Sequence, residues 1–318
     1  MKKLVALFLV LLLALGFAAC GKKVQNYDLI LATGGSGGSY YPYGGAMAQL
    51  FIDKVEGVTA TATSTGASAE NARLLNSSEA DLAILQNDVL DYAFNGTETM
   101  KEGGALKNLA TIATLYPEPI QIVATVASGI TSVEDMAGKR VSVGAAGSGT
   151  EANARQILDA FGMTYDDIEE SFLSFAESST GMQNMTLDAA FVTAGIPNPA
   201  IMELSAMTEI VLITIPDDKV AALVAKYPFY SSLQVPEDAY ESLNGGQTVT
   251  VLATLACRAD LDEDLVYNLT KALFENQTEL AQANAKAADL KLETAVEGAS
   301  VPFHPGADKY YKEVGAIG

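Results

Sequence analysis

The sequence has few of the side chains on which most catalytic centres depend. His304, between prolines in the segment VPFHPG, is its only histidine, so neither a His–carboxylate pair nor a His-based metal cluster can be assembled. The motifs G-x-S-x-G, C-x-x-C and H-E-x-x-H are also missing. Acidic pairs such as Asp166 and Asp167 fall in segments with surface character. The sequence therefore predicts a protein that is not an enzyme and that holds no metal or other cofactor.

Basic residues are scarce as well. The chain has 19 lysines and arginines against 39 aspartates and glutamates, which gives a net charge of −20 at neutral pH. Nucleic-acid binding requires basic patches, so no nucleic-acid partner is predicted. One of the four arginines could hold a ligand carboxylate in a bidentate pair. Arg73 and Arg155 lie inside predicted helices, however, where we expect each to brace its helix against a neighbouring carboxylate.

The N-terminus has the layout of an export signal. Lys2 and Lys3 precede an apolar run over residues 4–19, which is shorter than the ~20 residues that span a bilayer as a helix. This pattern is typical of a signal peptide, here residues 1–19. The segment FAACG that follows resembles the lipobox of bacterial lipoproteins, which implies lipidation at Cys20 and attachment to the outer face of the cell membrane. The alternative is ordinary secretion. With Cys20 lipidated, no intrachain disulfide can form, since Cys257 is the only other cysteine.

Strand-like and helix-like segments alternate along the rest of the chain. Short apolar strands are predicted at 29–32, 58–62 and 82–85, each followed by a helical pattern. A βαβαβ order of this kind predicts a parallel sheet with right-handed crossovers. The pattern recurs after residue 140, and the C-terminal third is predicted to be helical, with helices at 265–274 and 278–290.

The two halves contain a degenerate repeated motif. STGASAENARLL in the first half and AAGSGTEANARQIL in the second both place a small-residue loop before a helix that carries Asn-Ala-Arg. The sequence predicts an α/β protein with two parallel-sheet lobes joined by a β hinge, for which 120–126 and 248–256 are the candidate crossings. The predicted division is residues 20–122 plus 254–318 for lobe one and 123–253 for lobe two.

Loops rich in glycine and hydroxyl groups follow the predicted strands. In open parallel sheets, ligands bind beyond the carboxyl ends of the strands. Backbone N–H groups at helix N-termini, together with Ser and Thr hydroxyls, form a neutral cradle that favours anions. The loops concerned are 33–40, 64–68, 86–88, 144–150 and 193–197.

Neither glycine-rich loop fits a nucleotide. In LILATGGSGGSYYPYGGA, the dinucleotide fingerprint would need glycine at position 40, where Tyr40 blocks close approach of a pyrophosphate. In GAAGSGTE, the phosphate-binding lysine of a P-loop is missing and Glu151 follows Thr150. Ser148 and Glu151 instead match a capping box, so a well-capped helix with no ligand is the alternative for that loop.

Six motifs in order along the chain carry a resemblance to a known family. They are TGGSGGSYYPYGGAMA, TSTGASAENARLL, ADLAILQND, GKRVSVGAAGSGTEANARQILDAFG, TAGIPNPAIMEL and VPFHPGADKYYKEVG. Together they resemble the TAXI family, the solute receptors of one class of TRAP transporters. The resemblance implies a two-lobed, type II periplasmic-binding-protein fold that closes on its ligand. It also implies a membrane permease as partner and a small carboxylate, such as glutamate or 2-oxoglutarate, as the solute.

The resemblance also implies which residues contact the solute. Three alternatives stay open: a receptor of the same fold that serves an ATP-driven importer, a nucleotide-dependent enzyme that uses the glycine loops, and a surface protein without a ligand. The implied ligand-binding residues are Gly35, Gly37, Gly38, Ser39, Tyr40, Thr65, Gly66, Ser68 and Gln86 from lobe one, and Ser148, Gly149, Thr150 and Gly195 from lobe two.

Overall fold

The computed structural model describes residues 25–241 and 243–318. The predicted signal peptide and Cys20 lie outside these residues. Strands β1 to β10 are Tyr27–Ala32, Val58–Thr63, Leu82–Gln86, Ala110–Thr125, Arg140–Ser142, Glu169–Ser171, Ala189–Thr193, Ile210–Ile213, Ser231–Val235 and Gly246–Cys257. Helices α1 to α10 are Tyr40–Lys54, Ser68–Asn76, Asn87–Asn95, Gly149–Ala160, Phe175–Gln183, Pro199–Met207, Asp217–Lys226, Glu263–Glu275, Gln277–Ala283 and Pro305–Glu313.

The first lobe is built on the sheet order β2-β1-β3-β10-β4. Strand β1 pairs in parallel with β2 and β3, as the βαβαβ pattern predicts. Every residue of β3 is buried, which explains its continuous apolar run. In β2, at the edge, buried or half-buried residues alternate with exposed threonines. The antiparallel partners β10 and β4 complete the sheet, so this sheet is mixed rather than purely parallel.

The second lobe repeats this plan with the order β4-β7-β5-β6. Strand β5 pairs in parallel with β6 and β7, and β4 pairs antiparallel with β7 and β8. Strand β9 pairs antiparallel with β10. Both lobes therefore share the two longest strands, β4 and β10.

Strands β4 and β10 form the connection between the lobes. They run antiparallel from Cys257 opposite Ala110 to Thr250 opposite Pro119. Their register shifts twice, between Ala253 and Thr254 and between Leu255 and Ala256. Pro117 and Pro119 lie near the middle of β4. Because proline donates no backbone hydrogen bond, the ladder is weakened where the chain passes from one lobe to the other.

The apolar core is divided in the same way. Two of the four buried clusters draw on residues 29–116 and 253–311, and the other two draw on residues 120–251. No cluster takes buried members from both groups, so the fold has two lobes with separate cores. The division at 122/123 and 253/254 stays a prediction.

One predicted helix is shorter in the structure. The helix expected over 278–290 ends at Ala283, and a 3₁₀ turn, Ala285–Asp289, follows it. Asn284 interrupts the helix with an extended backbone, and its side chain accepts a hydrogen bond from the Lys286 amide at 3.0 Å. Asparagine favours such helix ends because its side chain competes with helical hydrogen bonding.

None of the helices within the described residues is both long and apolar enough to cross a membrane.

Candidate functional site

The two lobes are closed onto each other. The Ala69 amide at the start of α2 donates to the Gly147 carbonyl oxygen of the second lobe at 3.0 Å. Asn153 Nδ2 in α4 donates to Asp88 Oδ2 in α3 at 3.1 Å. A Cβ added at Gly149 would overlap the Gln86 side chain, so the start of α4 packs directly against the end of β3. The lobes therefore touch at several points around the space between them.

A small cavity of about 70 Å³ lies between the lobes. Its lining is formed by the loops that follow the strands, as expected for parallel sheets. Eleven of the residues that the sequence assigns to the ligand line it: Gly35, Gly38, Ser39, Tyr40, Thr65, Gly66, Ser68, Gln86, Ser148, Gly149 and Thr150. The other lining residues are Gly34, Ala67, Glu118, Ala145, Ser174, Phe175, Thr193 and Ala194.

Two predicted ligand residues lie outside this lining. A Cβ added at Gly37 would point at Ala176 of the opposite lobe, and the Gly37 carbonyl accepts a hydrogen bond from Asn198 Nδ2 at 3.4 Å. Gly195 faces Lys286 and Tyr116 instead. Each of the two glycines therefore lets its loop pack closely against a neighbouring segment of the chain. The ligand-binding role of all thirteen residues stays a prediction.

The N-termini of four helices meet at the cavity. Ser39 and Tyr40 begin α1, Ala67 and Ser68 begin α2, and the first turns of α4 and α5 face them from the second lobe. Each helix N-terminus carries unpaired backbone N–H groups and the positive end of the helix dipole. The combined field at the cavity therefore favours a negatively charged group.

The caps of these helices differ between the lobes. In the second lobe, Ser148 and Ser174 each accept a hydrogen bond from a first-turn amide, at 3.1 and 3.3 Å. In the first lobe, neither Ser39 nor Ala67 makes a side-chain cap. Ala67 also has a φ of +76°, a region that residues other than glycine rarely adopt. At α2 the Gly66 and Ala67 amides donate instead to the Glu70 and Thr65 side chains. The start of α1 has no side-chain cap beside the cavity.

Glu118 is a cavity residue that the sequence analysis missed. It lies in β4 between Pro117 and Pro119, is only 1% exposed, and accepts a hydrogen bond from the Tyr40 hydroxyl at 2.6 Å. Burial raises the pKa of the Glu118 carboxyl to about 8, although the bond from Tyr40 opposes this shift. In the sequence, this residue could have been noticed only as a charged side chain between two prolines in an otherwise apolar segment.

The repeated Asn-Ala-Arg motif places one asparagine in each lobe behind these loops. Asn71 is fully buried and donates to the carbonyl oxygens of Thr33 and Ile84, at 2.6 and 2.8 Å, while its Oδ1 accepts from Thr65. Asn153, also fully buried, accepts from the Thr193 hydroxyl and donates to Asp88 of the first lobe. Asn71 therefore fixes the loops of its own lobe, whereas Asn153 also connects the lobes.

The predicted brace of α4 is present, and that of α2 is not. Arg155 pairs with Glu151 one turn earlier in α4. The predicted capping box is therefore incomplete. The Ser148 side chain accepts a hydrogen bond from the Glu151 amide, but the Glu151 carboxylate pairs with Arg155 instead of accepting from the Ser148 amide. Arg73 has no carboxylate within ion-pair distance among the described residues, and its Nη2 lies 3.7 Å from Met100 Sδ. The prediction for Arg73 was therefore wrong, because no acidic side chain of the first lobe reaches it.

His304 and Cys257 have structural surroundings. His304 Nδ1 accepts a hydrogen bond from the Gly306 amide and caps α10, and its Nε2 lies 3.1 Å from the Leu261 carbonyl oxygen. Burial lowers the pKa of His304 and raises that of the Cys257 thiol. No group of three or more His, Cys, Asp or Glu residues suited to a metal ion occurs in the described part of the chain.

A model of the NMT1-like family matches residues 31–315. The chain belongs to the NMT1-like family. The match includes every residue that lines the cavity.

Solved structures with the same fold have low sequence identity to this NMT1-like protein. The alkanesulfonate-binding protein SsuA of Xanthomonas axonopodis pv. citri, bound to MOPS, has 14% identity and a TM-score of 0.53, over 91% of this chain and 84% of that chain. A putative L-cystine ABC transporter protein of Listeria monocytogenes has 12% identity and a TM-score of 0.53, over 83% and 95%. A Streptococcus mutans structure, described in connection with glutathione import via GshT and the cystine ABC importer TcyBC, has 13% identity and a TM-score of 0.54. The similarity covers 83% of this chain and 95% of that chain. These similarities establish the two-lobed fold.

Proposed function

We propose that this NMT1-like protein is an extracytoplasmic solute-binding protein that closes around a small solute and delivers it to a membrane importer. The observation that carries the proposal is the closed cavity between the lobes, on which four helix N-termini converge. Such a site holds a carboxylate, sulfonate or similar anionic group through backbone amides and hydroxyls. It does so without a lysine or arginine in the lining.

The lining supports a binding role rather than catalysis. Glu118 and Tyr40 are its only titratable side chains, and they bond to each other. Acyl transfer or hydrolysis by a serine or threonine hydroxyl would need an adjacent base, and neither histidine nor lysine lines the cavity to supply one. The cavity volume of about 70 Å³ suits a molecule of amino-acid size and excludes a nucleotide.

Two types of membrane importer are candidates for the partner. Solved neighbours described as ABC transporter and importer components favour an ATP-driven partner. The motif order described above favours a TRAP permease driven by an ion gradient. Uptake into proteoliposomes that contain each permease type, energised either by internal ATP or by an imposed ion gradient, separates the two.

The proposed location is the outer face of the cell membrane. The support is the charged and apolar leader at residues 1–19 and the lipobox-like segment that ends at Cys20. Metabolic labelling with a fatty-acid analogue tests the anchor. We expect label on the wild-type protein and none on the Cys20→Ser variant.

Retention of a ligand tests the receptor function. Native mass spectrometry should detect a bound small molecule in protein purified without denaturation and lose it after unfolding and refolding. A thermal-shift panel of amino acids, organic acids and sulfonates should then include at least one stabilising compound. A protein that retains nothing and responds to no compound would contradict the proposed function.

A further inference from the structure

The cavity contains two hydrogen-bond acceptors that the anionic group of a solute cannot use. Glu118 offers a buried carboxyl whose Oε2 already accepts from Tyr40. Gln86 is 2% exposed, and its Oε1 is buried with no hydrogen-bond partner among the described residues. A buried acceptor without a partner is destabilising, so a donor on the ligand at this point would strengthen binding.

Among the described residues, no cationic side chain lines the cavity to satisfy these acceptors. The Lys286 ammonium group lies 3.5 Å from Asp289 Oδ2, and Lys286 lines a separate open groove. Arg73 is exposed on α2 and contacts Met100. The donor that matches Glu118 and Gln86 must therefore come from the solute.

We infer that the solute carries an ammonium group, received by Glu118 and Gln86, in addition to the carboxylate received by the helix N-termini. The inference rests on the proposed function and narrows its substrate class to small zwitterions, of which α-amino acids are the simplest. Oxo acids of the same size have no donor at this position, and hydroxy acids have a single uncharged O–H group, which can donate to only one of the two acceptors. The site therefore selects against them.

The charges around Glu118 determine how this binding depends on pH. Burial and Asp88 of α3 raise the pKa of Glu118, while Tyr40 of α1 and Lys286 lower it, with the result near 8. Tyr116, on the same strand, is neutral because burial raises the pKa of its hydroxyl. An ammonium group binds the ionised carboxylate, so binding below pH 8 releases a proton. Amino-acid affinity should then rise with pH by up to about tenfold per unit between pH 6 and pH 8.

An anion held by protonated Glu118 would show the opposite pH dependence. In that arrangement the carboxyl would donate its proton to the ligand, and ionisation of Glu118 would weaken binding as the pH rises. The sign of the pH dependence thus distinguishes the two arrangements on the unmodified protein.

The test is calorimetric titration with pairs of ligands that differ only in the amino group. L-glutamate is compared with 2-oxoglutarate, and L-alanine with pyruvate and L-lactate, at pH 6, 7 and 8. We expect the amino acid of at least one pair to bind about tenfold or more tightly than its partners at pH 7.5. In Glu118→Gln this preference should fall by about tenfold, because the charge that holds the ammonium group is gone.

Glu151→Gln is the matched control, since Glu151 pairs with Arg155 outside the cavity and its removal should leave the preference unchanged. If Glu118→Gln does not fold, the pH dependence of the wild-type protein decides. An oxo or hydroxy acid that binds as tightly as its amino acid, or an affinity that falls as the pH rises, overturns this inference and leaves the receptor function standing. Absence of any ligand in the panel and in native mass spectra overturns both.

Discussion

At the residue scale, the site depends on side chains that face away from it as much as on those that line it. Asn71 is the clearest case, because one buried amide joins the loops after β1 and β2 to strand β3. The sequence indicated this position through the repeated Asn-Ala-Arg, but not its role. An asparagine inside a helix is usually a surface residue, and only the tertiary structure brings the Thr33 and Ile84 carbonyls to it.

Replacement of Asn71 with alanine should destabilise the protein by about 2–4 kcal/mol, since it leaves the Thr65 hydroxyl and two carbonyl groups without this partner in a dry environment. Urea unfolding of the ligand-free protein measures the loss. Asn95→Ala, at an exposed helix end, is the control and should change the free energy of unfolding by less than about 0.5 kcal/mol. Equal effects of the two variants would show that the buried amide is not a stabilising contact.

Glu118 marks the limit of sequence reasoning at this scale. The segment YPEP reads as an exposed turn, because proline and glutamate are both uncommon in central strands. In the structure it is the middle of β4, where the chain passes between the lobes. A charged residue in such a place is identified only when the neighbouring elements are known.

At the element scale, the alternation of strands and helices was readable because the central strands are continuous apolar runs. The strand predicted at 82–85 agrees with β3, and the helix predicted at 265–274 agrees with α8. Strand β6 was not predicted, since its three residues, Glu169 to Ser171, are polar and lie at a sheet edge. Short edge strands are held by pairing with their neighbours, which composition does not reveal.

The contact between the start of α4 and the end of β3 makes a prediction about closure. In Gly149→Ala, the added Cβ would overlap the Gln86 amide, so the lobes cannot approach to the observed distance. We expect solute affinity to fall by about tenfold or more. Small-angle scattering should also show less compaction of the variant on addition of solute.

Gly45→Ala is the control for that variant. It places the same methyl group on α1, where no atom lies within 4 Å, and should leave affinity unchanged while it stabilises the helix slightly. Unchanged affinity in Gly149→Ala would mean that Gln86 moves aside at little cost and that close packing at this point is not required.

At the scale of the whole molecule, two buried carboxyl groups link stability to pH. Burial raises the pKa of Asp88 from 3.8 to about 6 and that of Glu118 from 4.5 to about 8. Both groups therefore hold protons in the folded protein at pH values where the unfolded chain has lost them. Stability must then fall as the pH rises through this range, which is opposite to the usual behaviour of surface carboxylates in salt bridges.

The melting temperature of the ligand-free protein should accordingly be lower at pH 8 than at pH 5.5. Glu118→Gln removes the larger contribution, so the difference between the two pH values should shrink in that variant. Differential scanning calorimetry on both proteins measures it. A decrease of the same size in the variant would show that Glu118 is not buried in the ligand-free form in solution.

The enclosed cavity has a kinetic consequence. A solute sealed between two lobes cannot leave until they part, so its residence time is set by the opening rate of the protein and not by the strength of individual contacts. Chemically different solutes of similar affinity would then dissociate at similar rates. A partner that recognises only the outer faces of the closed lobes would distinguish loaded from empty protein without touching the solute. If the same partner separates the lobes, it also controls when the solute is released.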